Sequence, residues 1–103
     1  MYLIQILLPR RTLGRDERAT GSEFARTRAE LVEAFDGVTA YVRSPAEGAW
    51  TAPDGRVERD EMVMVEVLTQ TFDRSWWRAY AGKLADRFVQ DTIHIRALPA
   101  ETP

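Results

Sequence analysis

From Glu61 to Leu68 the chain alternates Val63, Val65 and Val67 with Met62, Met64, Glu66 and Leu68. Period-two alternation marks a strand, and here both of its sides are largely apolar. A strand of this kind needs a helical layer on one face and a second cover on the other. Every other segment has to be compatible with that requirement.

Tyr2 to Leu8 is a short run of bulky aliphatics closed by Pro9, which predicts a buried first strand. Pro9 to Gly21 has no apolar period and reads as a long solvated loop. Thr20 stands three residues before Glu23, the spacing of a capping box, with Ser22 as an alternative cap. Phe24, Ala25, Arg28, Leu31, Val32 and Phe35 then fall on one helical arc, and Gly37 supplies the stop. The spacing predicts a helix of about four turns.

Val38 to Arg43 alternates again, Pro53-Asp54-Gly55 is a turn signal, and the Glu61–Leu68 strand follows. The two strands form one long hairpin. If Ala52 faces Arg56, paired positions sum to 108 and Val42 meets Glu66, an apolar residue against an acid. An odd number of residues must therefore be absorbed, and Ser44 to Gly48 is the expected bulge. Asp73 is placed to cap a second helix, with Phe72 and Trp77 as its staple. Trp77, Tyr80, Ala81, Leu84 and Phe88 make one apolar face. Thr92 to Leu98, ended by Pro99, is the last strand.

The order β-α-β-β-α-β over 103 residues predicts one α+β domain, residues 1–103. The expected architecture is ferredoxin-like: a four-stranded antiparallel sheet with both helices on one face and the first and third strands central. Sorting the strands by face sends Ile4, Ile6, Val63, Val65, Val67 and Ile95 toward the helices. The opposite face receives Leu3, Gln5, Leu7, Tyr41, Arg43, Met62, Met64, Glu66, Leu68, His94 and Arg96. Left wet, that face would be an apolar patch of several hundred Å². A homodimer formed face to face would cover it, and the Pro9–Gly21 loop is the alternative cover.

Five polar residues of this face carry candidate chemistry. His94, Glu66 and Tyr41 are the candidate catalytic group, and Arg43 and Arg96 the candidate clamp for a small organic anion. The structural reading of the same residues is an ion pair of Glu66 with Arg43 or Arg96, beside a half-exposed His94. Arg28 falls within the apolar arc of the first helix. It is expected to pair inward with Glu47 or Asp73, to snorkel at the arc's edge, or to meet a ligand carboxylate. Trp50 and Trp76 are either contact residues for a partner or a satellite cluster under the hairpin.

Composition narrows the chemistry. There is no cysteine and one histidine, which excludes disulfides, thiolate catalysis and sulfur- or multi-histidine metal sites. A net charge of -2 argues against nucleic-acid binding by bulk charge. The seven-residue apolar start is too short for a membrane helix and has no basic residues before it, so a cytoplasmic protein is expected. No glycine-rich phosphate loop, calcium loop or GxSxG elbow is present. No cofactor or metal is implied.

The run Phe35-Asp36-Gly37-Val38-Thr39-Ala40-Tyr41-Val42-Arg43-Ser44-Pro45-Ala46-Glu47-Gly48-Ala49-Trp50 resembles a segment of a family of small uncharacterised bacterial proteins. Met1 to Pro9 and Ile93 to Pro99 are similar as well. At the level of fold the chain resembles the dimeric α+β barrel proteins, a class that includes cofactor-free monooxygenases and small isomerases. The sequence thus supports a homodimeric binding or assembly module with a small-ligand site on the open sheet face. The alternative is a cofactor-independent oxygenase or isomerase with His94 as base.

Overall fold

The structure, a computed structural model, describes residues 1–9, 21–35, 40–42, 46–51 and 57–103, and side chains over 1–9, 21–35 and 63–103. Its elements are β1 (Tyr2–Pro9), α1 (Gly21–Ala34), β2 (Ala40–Val42), β3 (Ala46–Thr51), β4 (Val57–Thr69), α2 (Arg74–Arg87) and β5 (His94–Pro99). The strands form one antiparallel sheet in the order β2-β4-β1-β5, with β3 also paired to β4.

Among the described residues five strands stand where four are expected, and the reason is local. β3 pairs β4 from Ala46 opposite Met62 to Thr51 opposite Val57, the register expected when Ala52 faces Arg56. β2 pairs it with Val42 opposite Val65 and Tyr41 opposite Glu66. Four positions separate Val42 from Ala46, but three separate Val65 from Met62, so the register shifts by one between the two pairs. That shift sets valine against valine, which the unshifted register forbids. Ser44 and Pro45 lie outside the described residues, as do Thr20 and Gly37.

The face assignment follows from burial. Ile4, Ile6, Leu8, Val65 and Val67 are sealed from solvent and cluster with Leu31 of α1 and with Trp77, Tyr80 and Leu84 of α2, so both helices lie on that side. Each aliphatic chain buried there stabilises the fold by about 1.5–3 kcal/mol. Asp73 caps α2, its Oδ1 accepting from the Trp76 amide at 3.2 Å.

The orientation of α1 differs from the sequence arc. Arg28 is exposed and Val32 is 49% exposed, whereas Thr27 is buried. The inward stripe runs Phe24, Thr27, Leu31 and Phe35. A threonine fits there because its hydroxyl donates to the Glu23 carbonyl at 2.9 Å and accepts from Arg87 at 2.8 Å. Arg28 therefore needs no inward partner, and Asp73 is occupied with its cap.

Among the described residues, no helix is long and apolar enough to cross a membrane.

Candidate functional site

On the sheet face turned away from the helices, the registers align one residue from each of four strands: Tyr41, Glu66, Gln5 and Arg96. The amide of Gln5 joins its neighbours. Its Nε2 donates to Glu66 Oε2 at 3.1 Å, and its Oε1 accepts from Arg96 Nε at 2.6 Å. Glu66 is only 1% exposed, although it stands on the open face. Apolar rows flank this polar line, with Leu68, Leu3 and Leu98 on one side and Met64 and Leu7 on the other. Leu3, Leu7, Met64 and Leu68 are half-buried, and Leu98 is 40% exposed.

The structure thus brings Glu66 and Arg96 into one hydrogen-bonded line, with Gln5 as the bridge. Gln5 is the residue that inspection of single strands undervalues. Its signal is that it is the one polar side chain in the aliphatic run from Leu3 to Leu8, at the position that faces Glu66 once β1 and β4 are paired. His94 is exposed and belongs to the next row, opposite Leu7. Two strand spacings and one two-residue step put its backbone about 12 Å from that of Glu66. A single chain therefore does not assemble these two into an acid–base pair. Tyr41 is aligned with Glu66 by register, and its side chain lies outside the described ones, as does the whole of Arg43. Arg28 sits on the solvent side of α1, in the helical layer, and takes no part in this face.

The largest electrostatic perturbation lies elsewhere, between the helices. The Glu30 carboxylate receives both terminal nitrogens of Arg87, at 2.8 and 2.9 Å, and the Tyr80 hydroxyl at 3.1 Å. Lys83 Nζ approaches it at 3.2 Å. The Arg87 fork, together with the Lys83 and Tyr80 bonds, holds the Glu30 carboxyl at about 2, against the partial burial that would raise it. Burial, then the bond to Glu30, pushes the Tyr80 phenol well above its ordinary value of 10.0. Bonding to Glu30 likewise raises the Arg87 guanidinium. This is a clamp between α1 and α2 whose parts are all engaged with one another, and it is structural.

Beside it, Trp76 is 37% exposed and stacks on Tyr80 at 5.0 Å between centroids, with Phe35 and Trp77 meeting its ring at 5.1 and 4.8 Å. Trp76 thus belongs to an aromatic cluster with Phe35, Trp77 and Tyr80, beside the helix clamp. Trp50 is in β3, with its side chain outside the described ones. Among the described residues there is no group of three or more His, Cys, Asp or Glu that can hold a metal ion.

Fold and face together define a small α+β domain with an open antiparallel sheet and two helices. No family model matches the sequence and no curated protein matches it, so the likeness noted at Phe35 to Trp50 carries no family assignment. Among solved structures the chain is similar to a phage SAM lyase in complex with S-methyl-5'-thioadenosine, with a TM-score of 0.60 and 10% sequence identity. The match covers 94% of this chain and 79% of the lyase. At that identity the likeness is one of fold.

Proposed function

We propose that this chain is a ferredoxin-like binding module that pairs with a second copy through its open sheet face and holds a small organic anion against the Glu66–Gln5–Arg96 line. The observation that carries the reading is the placement of that line. A nearly inaccessible carboxylate is fixed through Gln5 to an exposed guanidinium, within a face of half-buried leucines and a methionine. Gln5 takes the Nε of an exposed Arg96, and the terminal nitrogens of that guanidinium are the fork for a carboxylate or phosphate. A second sheet about 10 Å away would cover Leu98 and its neighbours and leave room for a small molecule at the polar row. The structural neighbour, which holds a small molecule, is a precedent for such use of the fold.

The test is a titration with benzoate, followed by the nitrogen resonance of Arg96 Nε. A saturable shift in the parent chain, with a heat of benzoate binding that is lost in Arg96→Leu, supports the reading. A resonance that ignores benzoate in a chain of monomeric mass ends it.

An enzymatic reading is favoured by one observation, that the neighbour is a lyase. An isomerase or oxygenase with His94 as base would need the second copy to complete the site, because the register keeps His94 and Glu66 apart within one chain. Its mark is turnover that depends on protein concentration and is lost in His94→Ala.

A further inference from the structure

β5 ends the strand order, and among the described residues no strand pairs its outer edge. The phase of its hydrogen bonds is fixed by the Ala100 amide, which donates to the Met1 carbonyl at 3.0 Å. In an antiparallel pair, alternate residues exchange both bonds with the partner. Leu98, Arg96 and His94 therefore bond to β1, while Ile95 and Ala97 turn their N–H and C=O groups outward. Pro99 also falls in the outward phase and has no N–H, which blunts that end of the edge. The open edge is thus a short, defined ladder.

The surroundings of this ladder have a sign. Arg74 and Arg78 of α2 line a groove of about 230 Å³ along it, together with Phe72, Ala81, Ile93 and Ile95, and among the described residues no acid lines it. The Arg74 guanidinium lies 5.4 Å from the centre of the Phe72 ring, which holds the charge over the groove. Ile93 is buried and Ile95 half-buried, so the floor is apolar and the rim cationic. A second copy added edge to edge about a twofold axis would set these arginines against their own images, an arrangement that like charges oppose.

We propose that the β5 edge is a docking site for an extended acidic segment of a partner protein, which adds to the sheet as a sixth strand beside Ile95 and Ala97 with its carboxylates under Arg74 and Arg78. Backbone bonds supply the alignment and the arginines select the sign of the side chains. The site lies on the sheet edge beneath α2 and is separate from the Glu66–Gln5–Arg96 line.

The probe is an acetylated heptapeptide of alternating glutamate and valine, added to the full chain while amide hydrogen exchange is followed residue by residue. Ile95 and Ala97 exchange rapidly in the free protein and slow at least tenfold at saturation. The effect disappears with a lysine–valine peptide, with a peptide N-methylated at alternate amides, and in the Arg74→Glu/Arg78→Glu chain. Ala97→Pro, which removes an outward donor at an edge position that tolerates proline, weakens binding while leaving the fold intact. Unchanged exchange at Ile95 and Ala97 overturns the proposal, as does equal binding of the N-methylated peptide. Protection of those amides in the free protein that grows with its concentration overturns it too, and assigns the edge to a second copy.

Discussion

Replacing Glu30 by glutamine tests the helix clamp through its dependence on pH. The carboxyl is held at about 2, against an ordinary value of 4.5. Without screening, that lowering is equivalent to about 3 kcal/mol. A quarter of the Glu30 side chain meets solvent, which reduces the expected contribution to roughly 1–2 kcal/mol. Because the folded value lies below the unfolded one, the stabilisation is complete above pH 4.5 and is lost as the pH falls toward 2. Removing the charge at pH 7 has a further cost, since the Arg87 side chain is only 8% exposed and loses its counter-ion. Breaking a buried pair from one side costs up to about 3–5 kcal/mol. Glu30→Gln is therefore expected to lower the stability at pH 7 by about 2–4 kcal/mol, a fall in Tm on the order of 10–25 °C for a chain of this size. Thermal unfolding of both chains, followed by circular dichroism between pH 7 and 2.5, should show the gap closing below pH 4.5. A gap that stays constant across that range would refute the reasoning.

Val89 has a φ of 52°, a left-handed conformation that a β-branched residue adopts only under strain. It follows α2 where the Gln90 amide bonds back to the Ala85 carbonyl at 2.8 Å, the pattern that glycine ordinarily closes. Val89→Gly is accordingly expected to raise stability by about 1 kcal/mol in urea unfolding, against the usual loss for glycine. Asp73→Ala removes the α2 cap and should cost about 1 kcal/mol by the same measurement. Leu84→Ala, at a position with no solvent contact between helix and sheet, should cost about 2–5 kcal/mol. The Tyr80 phenol is raised above 10.0, so its contribution is present below pH 10 and lost as the pH climbs through the raised value. In a spectrophotometric titration this tyrosine should therefore ionise only above the ordinary phenol value of 10.0, or together with unfolding.

How much was legible in the sequence differed by element. β1, α2 and the apolar side of β4 could be read because their side chains repeat with the period of the structure. In each case burial enforces the pattern: Ile4, Ile6 and Leu8 alternate, and Trp77, Tyr80 and Leu84 recur at helical spacing. The one-residue shift in the hairpin was also legible, since an unshifted register would have set Val42 against Glu66. The rotation of α1 was not. Hydrophobicity alone places Val32 and Arg28 near the arc, and only the Arg87 fork, supplied by a helix far along the chain, makes Thr27 the better inward residue. The same clamp hid Glu30, which looks like any exposed helical acid until Arg87, Tyr80 and Lys83 converge on it. In the candidate site, Glu66 and Arg96 could be placed on one face from alternation, but the bridge through Gln5 depends on the pairing of three strands. The distance between His94 and Glu66 was hidden for the same reason. Face membership follows from period two, whereas rows follow only from register.

The proposed function requires the open sheet face to be shared between two copies. Sedimentation equilibrium at micromolar concentration tests this directly. The expected mass is twice the 11.8 kDa of one chain, falling to the single-chain value in a Leu3→Lys/Leu98→Lys variant that keeps its helical and strand signal. A parent chain that sediments at 11.8 kDa over the whole accessible concentration range contradicts the account.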